Sequence, residues 1–325
     1  MRKRLFIGVV VSLIILSFSG TVVSALTIGH VTGNAACFSQ QRVMEAMEKL
    51  CKEKYHWTLY TADAKGSSNA LADQIENYIA RGVDVVTVAM ADLRACKEAI
   101  KTAERAGVPI YAIDSGYVPG IMVDVTSNNY VIGAKMGAYL ADRLGHKGKI
   151  VSIGMNQHHG VRKRRETLDP VLKENPEIKL LGHFDVRYES FYEDARRAME
   201  DYLTRYGNEI DAVWCGWDDL ADAAAKAIME RGFTRKDMFI VGADGHPHAY
   251  RHIRNPEDPF VATVAQKFSY FASITLELID KIEVKGISPD KVIPRGHRIY
   301  VDTPLIDPTN VPPEGKLPWP YPWEK

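Results

Sequence analysis

The chain has 325 residues, with 41 basic and 41 acidic side chains and a formal net charge of zero. Such a balance gives no electrostatic footprint for nucleic acid, and 46% apolar or aromatic residues supply real cores rather than disorder. At ~150 residues per domain the length predicts two lobes.

Residues 1–25 read as an export signal. Arg2, Lys3 and Arg4 are basic, and Leu5 to Phe18 is an apolar run shorter than the ~20 residues a bilayer span needs. Val23-Ser24-Ala25 supplies small residues for cleavage after Ala25. The first cysteine beyond that cut is Cys37, so no lipid anchor on a new N-terminal cysteine is expected.

A first run of strand–helix alternation follows. Strands are expected at 26–32, 58–62, 83–90, 109–113 and 121–125. Between them lie helices over 40–54, with Val43, Met47, Leu50 and Cys51 on one stripe, and over 70–81, ended by Gly82. Asp92 can cap a third that runs to Ala106. The pattern then restarts. Helices are expected at 129–144, from Arg162 with a distortion at Pro170, and at 191–206, 218–230 and 268–282. Strands are expected at 149–155, 179–184, 211–215, 238–243, 260–266 and 298–301. The segment 302–325 carries seven prolines with Trp319, Tyr321 and Trp323, and reads as an extended tail laid over one lobe.

Strands alternating with helices imply parallel sheets covered on both faces. The fold class is therefore α/β, as two doubly wound lobes. Ligands of such sheets bind at the carboxyl edges of the strands, so two facing lobes make a cleft lined by strand-end residues. The cysteines Cys37, Cys51, Cys96 and Cys215 allow three full pairings and lack CxxC spacing. Cys37 and Cys96, in loops after neighbouring strands, are the candidate disulfide; Cys215, in an apolar strand, is expected to be a free thiol.

Four segments carry a family resemblance: Pro109-Ile-Tyr-Ala-Ile-Asp114, Thr126-Ser-Asn-Asn-Tyr-Val-Ile-Gly-Ala-Lys135, Ile240-Val-Gly-Ala-Asp-Gly-His-Pro247 and Val261-Ala-Thr-Val-Ala-Gln266. In this order, behind an export signal, the chain resembles the ribose-binding-like (type I) periplasmic sugar-binding proteins of ABC transporters. The resemblance implies a three-crossing hinge near Thr126, Gln266 and His297. The N-terminal lobe would hold 26–126 and 267–297; the C-terminal lobe would hold 127–266 and 298–325. It implies ligand contacts from Asn34, Phe38, Asp114, Arg162, Asp244 and Gln266, to which Trp217 is added as an aromatic in place of a usual asparagine. Ser115 replaces a frequent arginine and Asn128 a hinge aspartate, so the ligand is not expected to be ribose itself.

That inventory suits a sugar or polyol. Carboxylates accept from hydroxyls, amides accept and donate, arginine donates in a planar fork, and rings cover C–H faces. Tyr117 and Tyr188 are weaker candidates, and Asp114 and Asp244 could instead tie loops. His158, His159, His246, His248 and His252 could face the cleft, but no metal spacing such as HExxH occurs, so neither metal nor cofactor is expected. There is no GxSxG elbow, phosphate loop or GxGxxG after the first strand, and Asp218-Asp219 are adjacent on a helix and point apart; no enzyme is expected. The partners implied are a small sugar or polyol and a membrane permease, with no nucleic acid, for a monomer in the periplasm. A sensory ligand-presenting role, or an acidic or aromatic solute suggested by the Arg162 cluster and Trp217, are the alternatives.

Overall fold

Two six-stranded sheets form, one per lobe. The computed structural model describes residues 25–324, so the expected export signal lies outside the described residues but for Ala25. The first sheet holds β1 (Thr27–Thr32), β2 (Thr58–Asp63), β3 (Val85–Ala89), β4 (Ile110–Ile113) and β5 (Val123–Ser127), flanked by α1 (Phe38–Leu50), α2 (Ser68–Ala80) and α3 (Lys97–Ala106). The chain then passes into α4 (Asn129–Arg143), β6 (Lys147–Gly154), α5 (His159–Glu166), α6 (Leu168–Glu174), β7 (Glu177–Asp185), α7 (Phe191–Tyr206) and β8 (Ala212–Cys215). There follow α8 (Asp218–Glu230), β9 (Phe239–Asp244), α9 (Pro247–Arg254) and β10 (Phe260–Ala265). It returns through α10 (Phe268–Ile279) and β11 (Arg298–Val301) and ends beyond β12 (Leu305–Ile306).

Strand order is β11-β5-β4-β3-β1-β2 in one sheet and β12-β10-β9-β8-β6-β7 in the other. All pairings are parallel except β12 on β10. The order reverses between β1 and β3 and between β6 and β8, the switch points where a cleft opens at the carboxyl ends. The near-continuous apolar runs of β3, β4, β8, β9 and β10 are fully buried, as two-sided packing demands. Helix α10 belongs to the N-terminal lobe because Phe268, Phe271, Ala272 and Leu276 pack with Val43, Met47 and Leu50 of α1.

The chain crosses three times, at 127–129, 266–267 and 302–304. The third crossing was expected near His297, which would put residues 298–301 in the C-terminal lobe. Instead β11 pairs in parallel with β5, Arg298 opposite Asp124, and only β12 joins the second sheet. The tail also differs from expectation. Leu317 and Trp319 pack on Tyr250, Ile253 and Ala265 of the C-terminal lobe, whereas Trp323 packs on the N-terminal core. It lies over both lobes.

Four local readings are corrected. Asp92 caps a single 3-10 turn, Leu93–Ala95, and α3 starts after it. The basic helix breaks at Thr167, before Pro170, which sits in the first turn of α6 where its missing N–H is harmless. Helix α9 was not anticipated, though Pro247 at its first position is a start signal. Finally, Cys37 and Cys96 are not bridged; all four cysteines are free and buried, Cys37 packing toward Met155 and Tyr188 and Cys96 toward Leu71 and Leu93 in a separate cluster.

Candidate functional site

The facing carboxyl edges of both sheets line a cavity. From the N-terminal lobe it is lined by Cys37, Ser39, Gln40, Met90, Asp114 and Phe268. From the C-terminal lobe come Met155, His158, Val161, Arg164, Tyr188, Trp217 and Asp244, with Gln266 at a crossing.

Two aspartates anchor it. Asp114 follows β4 and Asp244 ends β9, the fourth strand of each lobe, and both hold a positive φ, 48° and 123°. Non-glycine residues in such conformations cost free energy and persist where surroundings over-determine them. Asp114 Oδ1 accepts from Thr126 Oγ1 at 2.5 Å and from Asn129 Nδ2 at 3.2 Å. Asp244 Oδ1 accepts from Gln266 Nε2 at 2.7 Å and from Arg164 Nη1 at 3.1 Å. Arg164 also donates from Nε to Asn129 Oδ1 at 2.7 Å and from Nη1 to the Gly216 carbonyl at 2.8 Å. A continuous chain therefore runs Asp114–Asn129–Arg164–Asp244–Gln266, joining the two carboxyls through Asn129, at one crossing, and Arg164 of α5, and ending on Gln266 at another.

The arginine in the site is Arg164, 2% exposed, and not Arg162. Arg162 is half-buried and donates to the Asn156 carbonyl at 2.6 Å, away from the cavity. The two positions lie about 160° apart around a helix. Val161, Arg164 and Leu168 share the buried face at i, i+3, i+7, which gives the phase; family alignment alone missed it by two residues. Glycine at 133 allows this placement. A methyl there would lie 2.6 Å from the Arg164 Cα and would also collide with the Thr167 hydroxyl, so α5 rests directly on α4.

Of the other expected residues, Asp114, Trp217, Asp244 and Gln266 come together in the cavity. Asn34 does not reach it: its Nδ2 donates to the Tyr188 carbonyl at 3.0 Å and its Oδ1 accepts from the Ala36 amide. Phe38 lies outside as well, in a neighbouring hollow, its ring 4.8 Å from that of His246. Gln40 takes the place expected of Asn34. Its Oε1 accepts from Thr32 Oγ1 and the Asn34 amide, and its Nε2 donates to the Tyr188 hydroxyl. That hydroxyl donates in turn to the Met90 carbonyl at 2.8 Å, tying the lobes together. No sequence signal marks Gln40; Asn129 stood inside the quoted hinge segment.

His158 caps α5, its Nδ1 accepting from the Gly160 amide at 3.2 Å. Burial holds its pKa down to about 4, so it is neutral with the proton on Nε2. That N–H and Gln266 Oε1 are buried without a hydrogen-bond partner, on two residues that line the cavity. Burial raises the Asp244 carboxyl, with Arg164 and His246 opposing. It also raises Cys37, which stays a thiol, and lifts Asp218 to about 7. Burial would lower His246, but Asp219, Asp244 and Asp218 outweigh it and bring it to about 9.

Two covered, hinge-joined sheets with a polar cavity at their facing carboxyl edges define a two-lobed binding protein of the periplasmic binding protein type I fold. The family model for the periplasmic binding protein domain matches residues 27–286, and the chain belongs to that family. It is 28% identical over 225 residues to the xylitol-binding protein of Mycolicibacterium smegmatis, covering 69% of this chain and 62% of that protein. It is 27% identical over 224 residues to the ribose import binding protein of Bacillus subtilis, covering 68% of this chain and 70% of that one. Among solved structures, a sugar ABC transporter subunit from Rhodobacter sphaeroides superposes with a TM-score of 0.79 at 23% identity, over 88% of this chain and 99% of that one. A solute-binding protein from Agrobacterium vitis with bound allitol gives 0.79 at 24%, over 88% and 97%. No described helix is long and apolar enough to cross a membrane.

Proposed function

We propose that this protein captures a small neutral sugar or polyol between its lobes and delivers it, outside the cytoplasm, to the membrane permease of an ABC importer. The observation that carries the reading is the cavity lining. It sets two carboxyls, two amides and an imidazole N–H among Trp217, Phe268, Met90 and Met155. Hydroxyls can donate to Asp114 and Gln266 Oε1 and accept from His158 Nε2–H, while C–H faces meet the rings and thioethers. An acidic solute fits poorly: the one guanidinium lining the cavity, Arg164, is already engaged by Asp244. Arg162, which suggested an acid, faces away. The related proteins named for xylitol and ribose, and the fold neighbour holding allitol, agree in ligand chemistry.

Closure works as a population shift. Tyr188 donates across the cleft to the Met90 carbonyl, so the closed arrangement has contacts of its own, and a ligand that bridges Asp114 and Asp244 binds that state better than an open one. A solute that leaves a buried polar group unpaired loses on the order of 1–3 kcal/mol per group, which gives selectivity. The test is a thermal-shift panel of pentoses, hexoses, polyols, sugar acids and aromatic solutes. Ligand at a hundred times its Kd adds about 2.7 kcal/mol of stability. A shift with one class of neutral sugar or polyol is expected; silence there with a shift from an acid or an aromatic would overturn the ligand assignment.

A further inference from the structure

Beside the cavity, in the C-terminal lobe, a second group of side chains converges with no role in the solute reading. Asp219 is the second residue of α8, His246 precedes α9, and His248 lies in its first turn. Their donor atoms all lie within 4.8 Å of one another. His246 Nδ1 is 3.3 Å from Asp219 Oδ1, and His248 Nε2 is 3.4 Å from the same oxygen.

Those separations are informative. Charge-assisted imidazole–carboxylate hydrogen bonds run at about 2.7–2.9 Å. The same lobe shows such a pair: His252 lies 2.7 Å from Asp258 and 2.8 Å from Asp222. At Asp219 the imidazoles stand off by half an ångström more, and His248 Nε2 makes no hydrogen bond. Two ligands at about 2.0–2.1 Å from a tetrahedral ion are about 3.3–3.4 Å apart, which matches both imidazole–carboxylate separations; the two imidazole nitrogens, within 4.8 Å of each other, would close in on the ion as it binds. The other nitrogen of His246 also faces a carboxylate. Its Nε2 lies 3.7 Å from Asp244 Oδ2 with no hydrogen-bond partner, so a small rotation on metal binding would bring in that carboxylate as the ring's outer partner.

We propose that Asp219 Oδ1, His246 Nδ1 and His248 Nε2 form a divalent transition-metal site, zinc by its donor set, with a water as fourth ligand. Two imidazoles and a carboxylate are borderline ligands that suit zinc rather than calcium or magnesium. The ion takes the position of any proton shared between His246 and Asp219, and that proton leaves to solvent. Access comes past His248, whose side chain is 17% exposed. The ring of Phe38, from the opposite lobe, lies 4.8 Å from His246 and 6.1 Å from His248 and covers the site. Because His246 also faces Asp244, metal occupancy and solute binding share a carboxylate, and any coupling between them is reciprocal.

The experiment needs no knowledge of the solute. Tag-free protein, stripped with a chelator and dialysed, is titrated with Zn²⁺ by calorimetry and with Co²⁺ by visible absorption. One ion per chain and the intense visible bands of tetrahedral cobalt are expected. His248→Ala and the isosteric Asp219→Asn should each weaken binding at least tenfold, with circular dichroism unchanged; His146→Ala, at an exposed imidazole remote in sequence, should not. Absence of saturable binding, an octahedral cobalt spectrum, or affinity unmoved by both His248→Ala and Asp219→Asn would overturn the site.

Discussion

The two lobes repeat one chain path and place one residue type at one point: an aspartate with positive φ at the end of the fourth strand. What surrounds that aspartate differs. Asp114 is held by neutral donors, the Thr126 hydroxyl and the Asn129 amide. Asp244 is held by the Arg164 guanidinium and Gln266. The positive φ is thus shared, while the partners of the carboxyl are set locally by the side chains each lobe brings to it. Each half of the cleft brings one aspartate and one methionine; the C-terminal half adds Arg164, His158, Tyr188 and Trp217, the N-terminal half Gln40, Ser39 and Phe268.

The largest effect tests this asymmetry directly. Arg164→Ala should leave a buried carboxylate uncompensated, costing about 3–5 kcal/mol in denaturant unfolding. It should also lower solute affinity more than tenfold by calorimetry, while Arg162→Ala changes affinity less than twofold. Equal effects of the two would break the assignment of the arginine. Next, Gly133→Ala should force α5 off α4, costing about 1–3 kcal/mol and weakening the solute together with stability. Asp244→Asn and Asp114→Asn should both reduce affinity, the former further because it also strands Arg164; a reversed order would place the dominant contact in the N-terminal lobe.

Smaller effects sharpen the comparison. Tyr188→Phe removes an inter-lobe hydrogen bond worth about 1 kcal/mol, so affinity should fall about fivefold with kinetics showing faster release. The smallest is a pH effect. Burial first, then the nearby Asp114, raises Asp124 to about 7 from its ordinary 3.8. Its folded form holds the proton more tightly than the unfolded chain does, so that stability is present below pH 4 and is lost as pH rises through 7. Asp124→Asn should therefore raise the melting temperature at pH 8 relative to wild type, with the gain shrinking by pH 5. A gain independent of pH would refute the ionisation argument.

The parallel strands were legible because buried apolar runs such as Val85–Ala89 and Ala212–Cys215 admit little else. The carboxylates were legible because strand ends are where such folds bind. The arginine was not, since Arg162, Lys163, Arg164 and Arg165 differ only in helical phase, and phase is set by packing with Gly133 and Leu168. Gln40 was invisible for a different reason: its partner Tyr188 lies 148 positions away, and only the folded cleft brings them together. The strand at 298–301 was recognised but assigned to the wrong sheet, because nothing in four residues says which edge they will extend.

The proline-rich tail carries a consequence for movement. Trp319 is moored on one lobe, with Lys267 over its ring, and Trp323 on the other, with Lys49 over its ring. Only four chain steps separate these moorings, so even fully stretched they cannot stand more than about 14 Å apart; here the chain turns at Pro322–Trp323, the Glu324 amide donating to the Tyr321 carbonyl at 3.0 Å. The tail is therefore a leash of limited length. The lobes can swing freely until it is taut; beyond that, each further degree must peel an indole from its bed, so the amplitude of opening is metered by the spacing of two tryptophans rather than by the hinge itself.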